Sequence, residues 1–174
     1  MRLSLTLIAA SLAFIALPTQ ARPYLMLNAD ERGFQALDLG GIDRSQPGTV
    51  QAVLIDAPLA GIPVADQLAP LAERRIEVDC AGAWWRVRSV AYVDGKEQPM
   101  GGDYDMGEWT PIAGDEIAAV VQAAVCERRY NQAMVSRYFN LGQILANFQA
   151  AHSKAAPEPQ TEKDLLARRY RNGR

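Results

Sequence analysis

The amino-acid sequence predicts an α+β fold: an antiparallel β-sheet backed by a C-terminal helix, with a long amphipathic helical extension and a basic tail. Two patterns and one pair of residues carry that expectation. Between residues 24 and 94, β-branched and aromatic residues gather in short runs separated by turn formers, and several runs alternate with period two. From residue 115 onward the apolar residues recur at steps of three and four, the spacing of one helix face. The two cysteines, Cys80 and Cys126, lie one in each half. Of 174 residues 49% are hydrophobic and 22% charged, which excludes a wholly disordered chain or a multi-span membrane protein. A formal charge of −2 gives no reason to expect a nucleic-acid partner.

Residues 1–21 read MRLSLTLIAASLAFIALPTQA. A basic Arg2, an apolar run from Leu3 to Leu17, a break at Pro18 and a small residue at Ala21 are the layout of a secretory signal peptide. The run of about 15 residues is shorter than the ~20 that cross a bilayer comfortably, an uncleaved anchor being the alternative. No cysteine follows it, so a lipid-modified N-terminus is not available. The mature chain is expected to begin at Arg22 and to be exported, periplasmic or secreted, and soluble. An oxidising compartment lets Cys80 and Cys126 persist as a disulfide. The chain-entropy model assigns roughly 4 kcal/mol to a loop of that length. Two free thiols or a redox centre are the alternative, but the pair lacks the C-x-x-C spacing.

In the domain expected over residues 22–126, Tyr24 to Leu27 forms a short apolar piece, and Phe34 to Ile42 a second. Gln46-Pro47-Gly48 signals a turn before TVQAVLI at Thr49 to Ile55, so these runs predict an antiparallel hairpin. Residues 57–73, rich in Pro and Ala, read as a loop with one helical turn at most. Arg74 to Cys80 alternates, with Ile76, Val78 and Cys80 on one face and Arg75, Glu77 and Asp79 on the other. Trp84 to Asp94 also alternates, Trp85, Val87, Ser89, Ala91 and Val93 opposing Trp84, Arg86, Arg88, Val90 and Tyr92. Asp94-Gly95 signals a hairpin. Gly114 or Asp115 can cap a helix whose stripe is Ile117, Val120, Val121, Ala124 and Val125, so a Cys80–Cys126 bond would tie sheet to helix.

A second amphipathic helix is expected over residues 127–152, with the stripe Tyr130, Met134, Tyr138, Leu141, Leu145 and Phe148. An unbroken helix from 115 to 151 would be about 55 Å long at 1.5 Å per residue, too long for so small a domain. It must therefore bend back, or project and offer Met134, Tyr138, Leu141, Leu145 and Phe148 for self-association. Residues 153–174 read as a flexible basic tail: from Lys154 on, six Lys/Arg face three Asp/Glu, whereas residues 22–153 carry 11 against 17. The tail is either a solvated terminus with a short frayed helix or a basic arm for anionic lipid, cell-wall polymer or nucleic acid.

Candidate chemistry is sparse. His152, the sole histidine, sits at a predicted helix C-terminus where a cation is favoured, and no G-x-S-x-G accompanies it. Asp103, Asp105 and Glu108 form an acidic glycine-rich loop without the EF-hand spacing. No catalytic residue, metal site or cofactor is expected. Because neighbouring strand residues point to opposite faces, Trp84 and Trp85 cannot both be core in a one-sided sheet. One of them packs under the helix, and the other joins Arg86, Arg88 and Tyr92 in a candidate binding surface of Trp84, Arg86, Arg88 and Tyr92.

ALDLGGIDRSQPGTVQAVLI at 36–55, Val78-Asp79-Cys80, Tyr92 with Gly95, Trp109-Thr110-Pro111-Ile112 and Cys126 follow one another in an order that resembles the surface-adhesin protein E family of bacterial envelope proteins. The resemblance spans about residues 23–126. It implies an antiparallel sheet backed by a helix, a Cys80–Cys126 bond and a non-enzymatic envelope protein, with adhesion to host proteins in the best-known members. The expected function is therefore an exported binding or adhesion-type module for a protein or cell-envelope partner. The alternative is an envelope glycan hydrolase using the acidic loop around Asp103 to Glu108.

Overall fold

The structure, a computed structural model, describes residues 21–138 and 140–155. The expected signal peptide, but for Ala21, and the tail beyond residue 155 lie outside the described residues. The strands are β1 (Arg22–Asp30), β2 (Gly33–Asp38), β3 (Thr49–Pro58), β4 (Ile62–Val64), β5 (Gln67–Ala69), β6 (Leu71–Asp79), β7 (Trp84–Val93), β8 (Pro99–Asp103), β9 (Thr110–Pro111) and β10 (Val135–Tyr138). The helices are α1 (Glu116–Glu127), a 3₁₀ turn at Gln132–Met134, and α2 (Leu141–Ala155). Eight strands make one antiparallel sheet in the order β10-β1-β2-β3-β6-β7-β8, with the short β9 pairing the start of β7. The stretch read as a loop, residues 57–73, instead holds the small β4–β5 hairpin, which pairs only with itself. Its strands are three residues each, too short for a periodicity to show.

Both faces of the sheet carry a core because a helix covers each. On one face Leu25, Leu37, Val50, Ala52, Leu54, Ile76 and Val78 pack with Ala118, Val121, Ala124 and Val125 of α1. On the other, Tyr24, Phe34, Ala36, Ile55, Ala57, Leu71 and Val93 pack with Leu141, Ile144, Leu145 and Phe148 of α2. Strands β2 and β3 alternate between the two clusters residue by residue, as the pleat requires. α1 begins at Asp115, whose carboxylate accepts the Ala118 N–H, and ends at Arg128 in the left-handed region. The α1 terminus is also held to the sheet: Arg44 donates twice to the Val125 carbonyl, and Cys80 bonds Cys126 with Cα atoms 5.7 Å apart. A cation against a helix C-terminal carbonyl is the favoured polarity.

The predicted continuous helix over 127–152 is corrected by the structure. After α1 the chain turns through Asn131, which caps the 3₁₀ turn, and runs as β10 antiparallel to β1, pairing Arg22 with Tyr138 and Leu25 with Val135. Val-Ser-Arg-Tyr offers a β-branched and an aromatic residue, and the bare edge of β1 supplies the hydrogen bonds that decide its conformation. The stripe is therefore not one surface. Leu141, Leu145 and Phe148 are buried on the sheet-facing side of α2, Tyr138 is half-buried in β10, and Met134 is exposed. The backbone of α2 continues to Ala155, past the expected start of the tail. Its first turn docks on the β7–β8 hairpin, where the Glu97 carboxylate accepts the Leu141 N–H at 2.6 Å. Gly142 is required there, since a Cβ would lie 2.1 Å from the Gly95 carbonyl oxygen. Near its end, His152 Nδ1 lies 2.9 Å from the Phe148 carbonyl oxygen, and the two rings lie 4.0 Å apart, tilted by 37°.

Candidate functional site

The expected alternation of β7 fails at one point, and that failure shapes the candidate surface. Arg75 pairs Ser89 while Ile76 pairs Val87, so Arg88 is an extra residue in a β-bulge. Before the bulge, Trp84 and Arg86 share the α2 side with Asp79 and Glu77, while Trp85 and Val87 join the α1 core. After it the parity reverses: Val93 belongs to the α2-side cluster, and Tyr92, paired with Ala72, lies on the α1 side. The predicted quartet of Trp84, Arg86, Arg88 and Tyr92 is thus divided. Trp84 and Arg86 are neighbours on one face, Arg88 occupies the bulge, and Tyr92 is on the opposite face. A bulge leaves no mark in an alternating run where both faces are apolar or basic.

α2 covers only the end of its face that carries Phe34, Ala57, Leu71 and Val93. Toward the other end, the β6 residues on that side become Glu73, Arg75, Glu77 and Asp79, and polar and aromatic groups replace the apolar rows. Glu73, at the border, is pushed up from the usual carboxylate range, first by burial and then by the charge of Glu97. Glu77 is buried and is held on both oxygens. Arg86 Nη2 and Nε donate to its Oε2 at 2.6 and 2.9 Å, and the Thr49 hydroxyl donates to Oε1 at 3.3 Å. The Arg86 guanidinium also lies 4.4 Å from the centre of the Trp109 ring, so its charge is neutralised from one side and covered from the other.

Trp109 reaches this position because the β8–β9 connection is laid along the free edge of β7. The Gly107 N–H donates to the Val87 carbonyl at 2.8 Å, and β9 then pairs Pro111 with Trp84 and Thr110 with Trp85. On the other side of Trp84, the Asp79 Oδ1 accepts the Ala81 and Gly82 N–H groups, closing the β6–β7 turn. Between them lies an open cleft of about 330 Å³ lined by Asp79, Trp84 and Trp109, with Trp84 42% exposed. In the sequence Trp109 stands out only as part of Trp109-Thr110-Pro111-Ile112 in the family resemblance. Its proximity to Trp84 is a tertiary contact, and the one local hint was the Trp-Thr-Pro-Ile run at an edge.

The acidic loop is placed apart from this cleft in character: Asp103, Asp105 and Glu108 are all exposed, and Asp103 spends Oδ1 on the Asp105 N–H. Among the described residues, no group of three or more His, Cys, Asp or Glu side chains could hold a metal ion. No helix among them is long and apolar enough to cross a membrane. Comparison of the chain with protein-family models, curated proteins and solved structures finds no match to any of them.

Proposed function

We propose that this chain is an exported, non-enzymatic module of the cell envelope, similar to the surface-adhesin protein E family, that binds a protein or envelope partner through the part of its sheet that α2 leaves open. One observation carries the reading: an exposed tryptophan on a sheet face, flanked by a second indole and a carboxylate, with the adjacent arginine already pinned. Solvent-facing indoles are costly to leave in water and are enriched where proteins bind. The signal-like first 21 residues and the disulfide support export. Strands on both sides hold the surface rigid, so little ordering entropy opposes association.

Cross-linked capture from the native envelope tests it, comparing the wild-type chain with a Trp84→Ala, Trp109→Ala double variant of unchanged far-ultraviolet circular dichroism. The expected result is a specific cross-linked partner that the double variant loses. Identical capture by both chains would remove this face as the binding surface.

A further inference from the structure

Among the described residues, three carboxylates on the sheet are ion-paired, and Asp79, next to one of them, is not. Asp38 is ion-paired to Arg22, Asp56 receives Arg74, and Glu77 receives Arg86. Asp79 has no ion-pair partner among the described residues, and its only hydrogen bonds there are to Oδ1, so Oδ2 lacks a donor. It stands one step along the strands from Glu77. Glu77 pairs Arg86, and Asp79 pairs Trp84. Each carboxylate is thus accompanied by an indole: Arg86 links Glu77 to Trp109, and Asp79 lines one cleft with Trp84. The cleft between Trp84 and Trp109 is open.

We propose that this cleft is a binding site for a guanidinium group, the arginine side chain of a peptide segment from a partner. The inference rests on the binding-module reading above and names the group its surface recognises. Charge favours a cation, because Arg86 is balanced by Glu77 while Asp79 is not balanced. The vacant Oδ2 calls for an N–H donor, which a guanidinium offers and a quaternary ammonium does not. The flat guanidinium also suits a slot walled by indoles, as Arg86 itself demonstrates at 4.4 Å over Trp109. Gly82 keeps the slot clear: a Cβ there would lie 2.4 Å from Asp79 Oδ2 and 3.0 Å from Trp84 Cδ1. Its φ is not in the left-handed region, so an alanine would crowd the slot without straining the backbone.

The test is an NMR titration of the full mature chain, following the Trp84 and Trp109 indole N–H signals. The probes are N-acetyl-arginine amide, its uncharged citrulline isostere and tetramethylammonium. Arginine amide is expected to move both signals with millimolar affinity, and citrulline and tetramethylammonium to bind about tenfold more weakly or less. Asp79→Asn keeps the Oδ1 acceptor of the turn but should weaken arginine binding about tenfold. Gly82→Ala should weaken it while both indoles and the carboxylate remain. Absence of any shift with arginine amide, equal binding of citrulline or tetramethylammonium, or an unchanged affinity in Asp79→Asn would each overturn the assignment. The envelope capture reports separately: a partner lost with the two tryptophans but kept by Asp79→Asn would sink the guanidinium site and leave the binding face standing.

Discussion

Opening the Cys80–Cys126 bond should cost this domain a large part of its stability. The bond closes a loop with a sequence separation of 46, and that loop contains β7, β8, β9 and nearly all of α1. In the chain-entropy model such a loop removes about 13–14 cal/mol/K from the unfolded chain, or about 4 kcal/mol at 25 °C. With roughly 2 cal/mol/K of unfolding entropy per residue, that corresponds to a fall in Tm of about 15 °C for a domain near 130 residues. The cleanest comparison is one chain in two states, oxidised and reduced, because no side-chain volume changes. Urea unfolding followed by tryptophan fluorescence should show the reduced midpoint displaced downward and its m-value slightly raised, since an uncrosslinked unfolded chain exposes more surface. A difference below about 1 kcal/mol would refute the reasoning. It would mean that the packing of Ala118, Val121, Ala124 and Val125, with Arg44 on the Val125 carbonyl, already holds α1 so firmly that the cross-link adds nothing.

Arg86→Ala should destabilise by about 3 kcal/mol in the same urea assay, because Glu77 is left buried without its guanidinium; a loss under about 1 kcal/mol would show that water replaces the arginine without penalty. Tyr24→Phe should raise stability at neutral pH by about 1 kcal/mol, since the Tyr24 hydroxyl is buried without a hydrogen-bond partner among the described residues. The same tyrosine should show in the alkaline limb. Burial pushes its ionisation up from 10.0 to about 12, so the part of the stability that depends on its keeping the proton is complete below pH 10 and is lost as pH rises toward 12. Stability measured against pH should therefore fall more steeply in that window for the wild type than for Tyr24→Phe; parallel curves would contradict the burial argument.

The sheet was legible where local pattern and tertiary demand agree. Thr49 to Ile55 is dense in β-branched residues, Arg74 to Cys80 alternates, and both are strands because their apolar residues fall on buried faces. Asp115 with the stripe after it marks α1 for the same reason. Local pattern misleads where a non-local partner decides. Residues 135–138 continue a helical spacing in sequence, yet they become β10 because β1 offers an unpaired edge. The Arg88 bulge is invisible to period counting, and so strict alternation places Tyr92 on the face it does not occupy. The cleft was half legible. Trp84 outside and Trp85 inside follow from the pleat alone, whereas Trp109 depends on how the β8–β9 connection crosses Val87.

The position of β10 has a consequence for the order of assembly. Among the described strands β1 is the first to emerge as the chain is made, and it meets β2 through a hairpin of two residues. Its second neighbour follows more than a hundred residues later, once both the meander and α1 have been made. Until then the opening strand presents an unsatisfied ladder of backbone donors and acceptors, a template for strands of other copies. A nascent or truncated chain lacking residues 135–138 should therefore be the aggregation-prone species, and a chaperone that shields this protein would find its client surface at the very start of the fold.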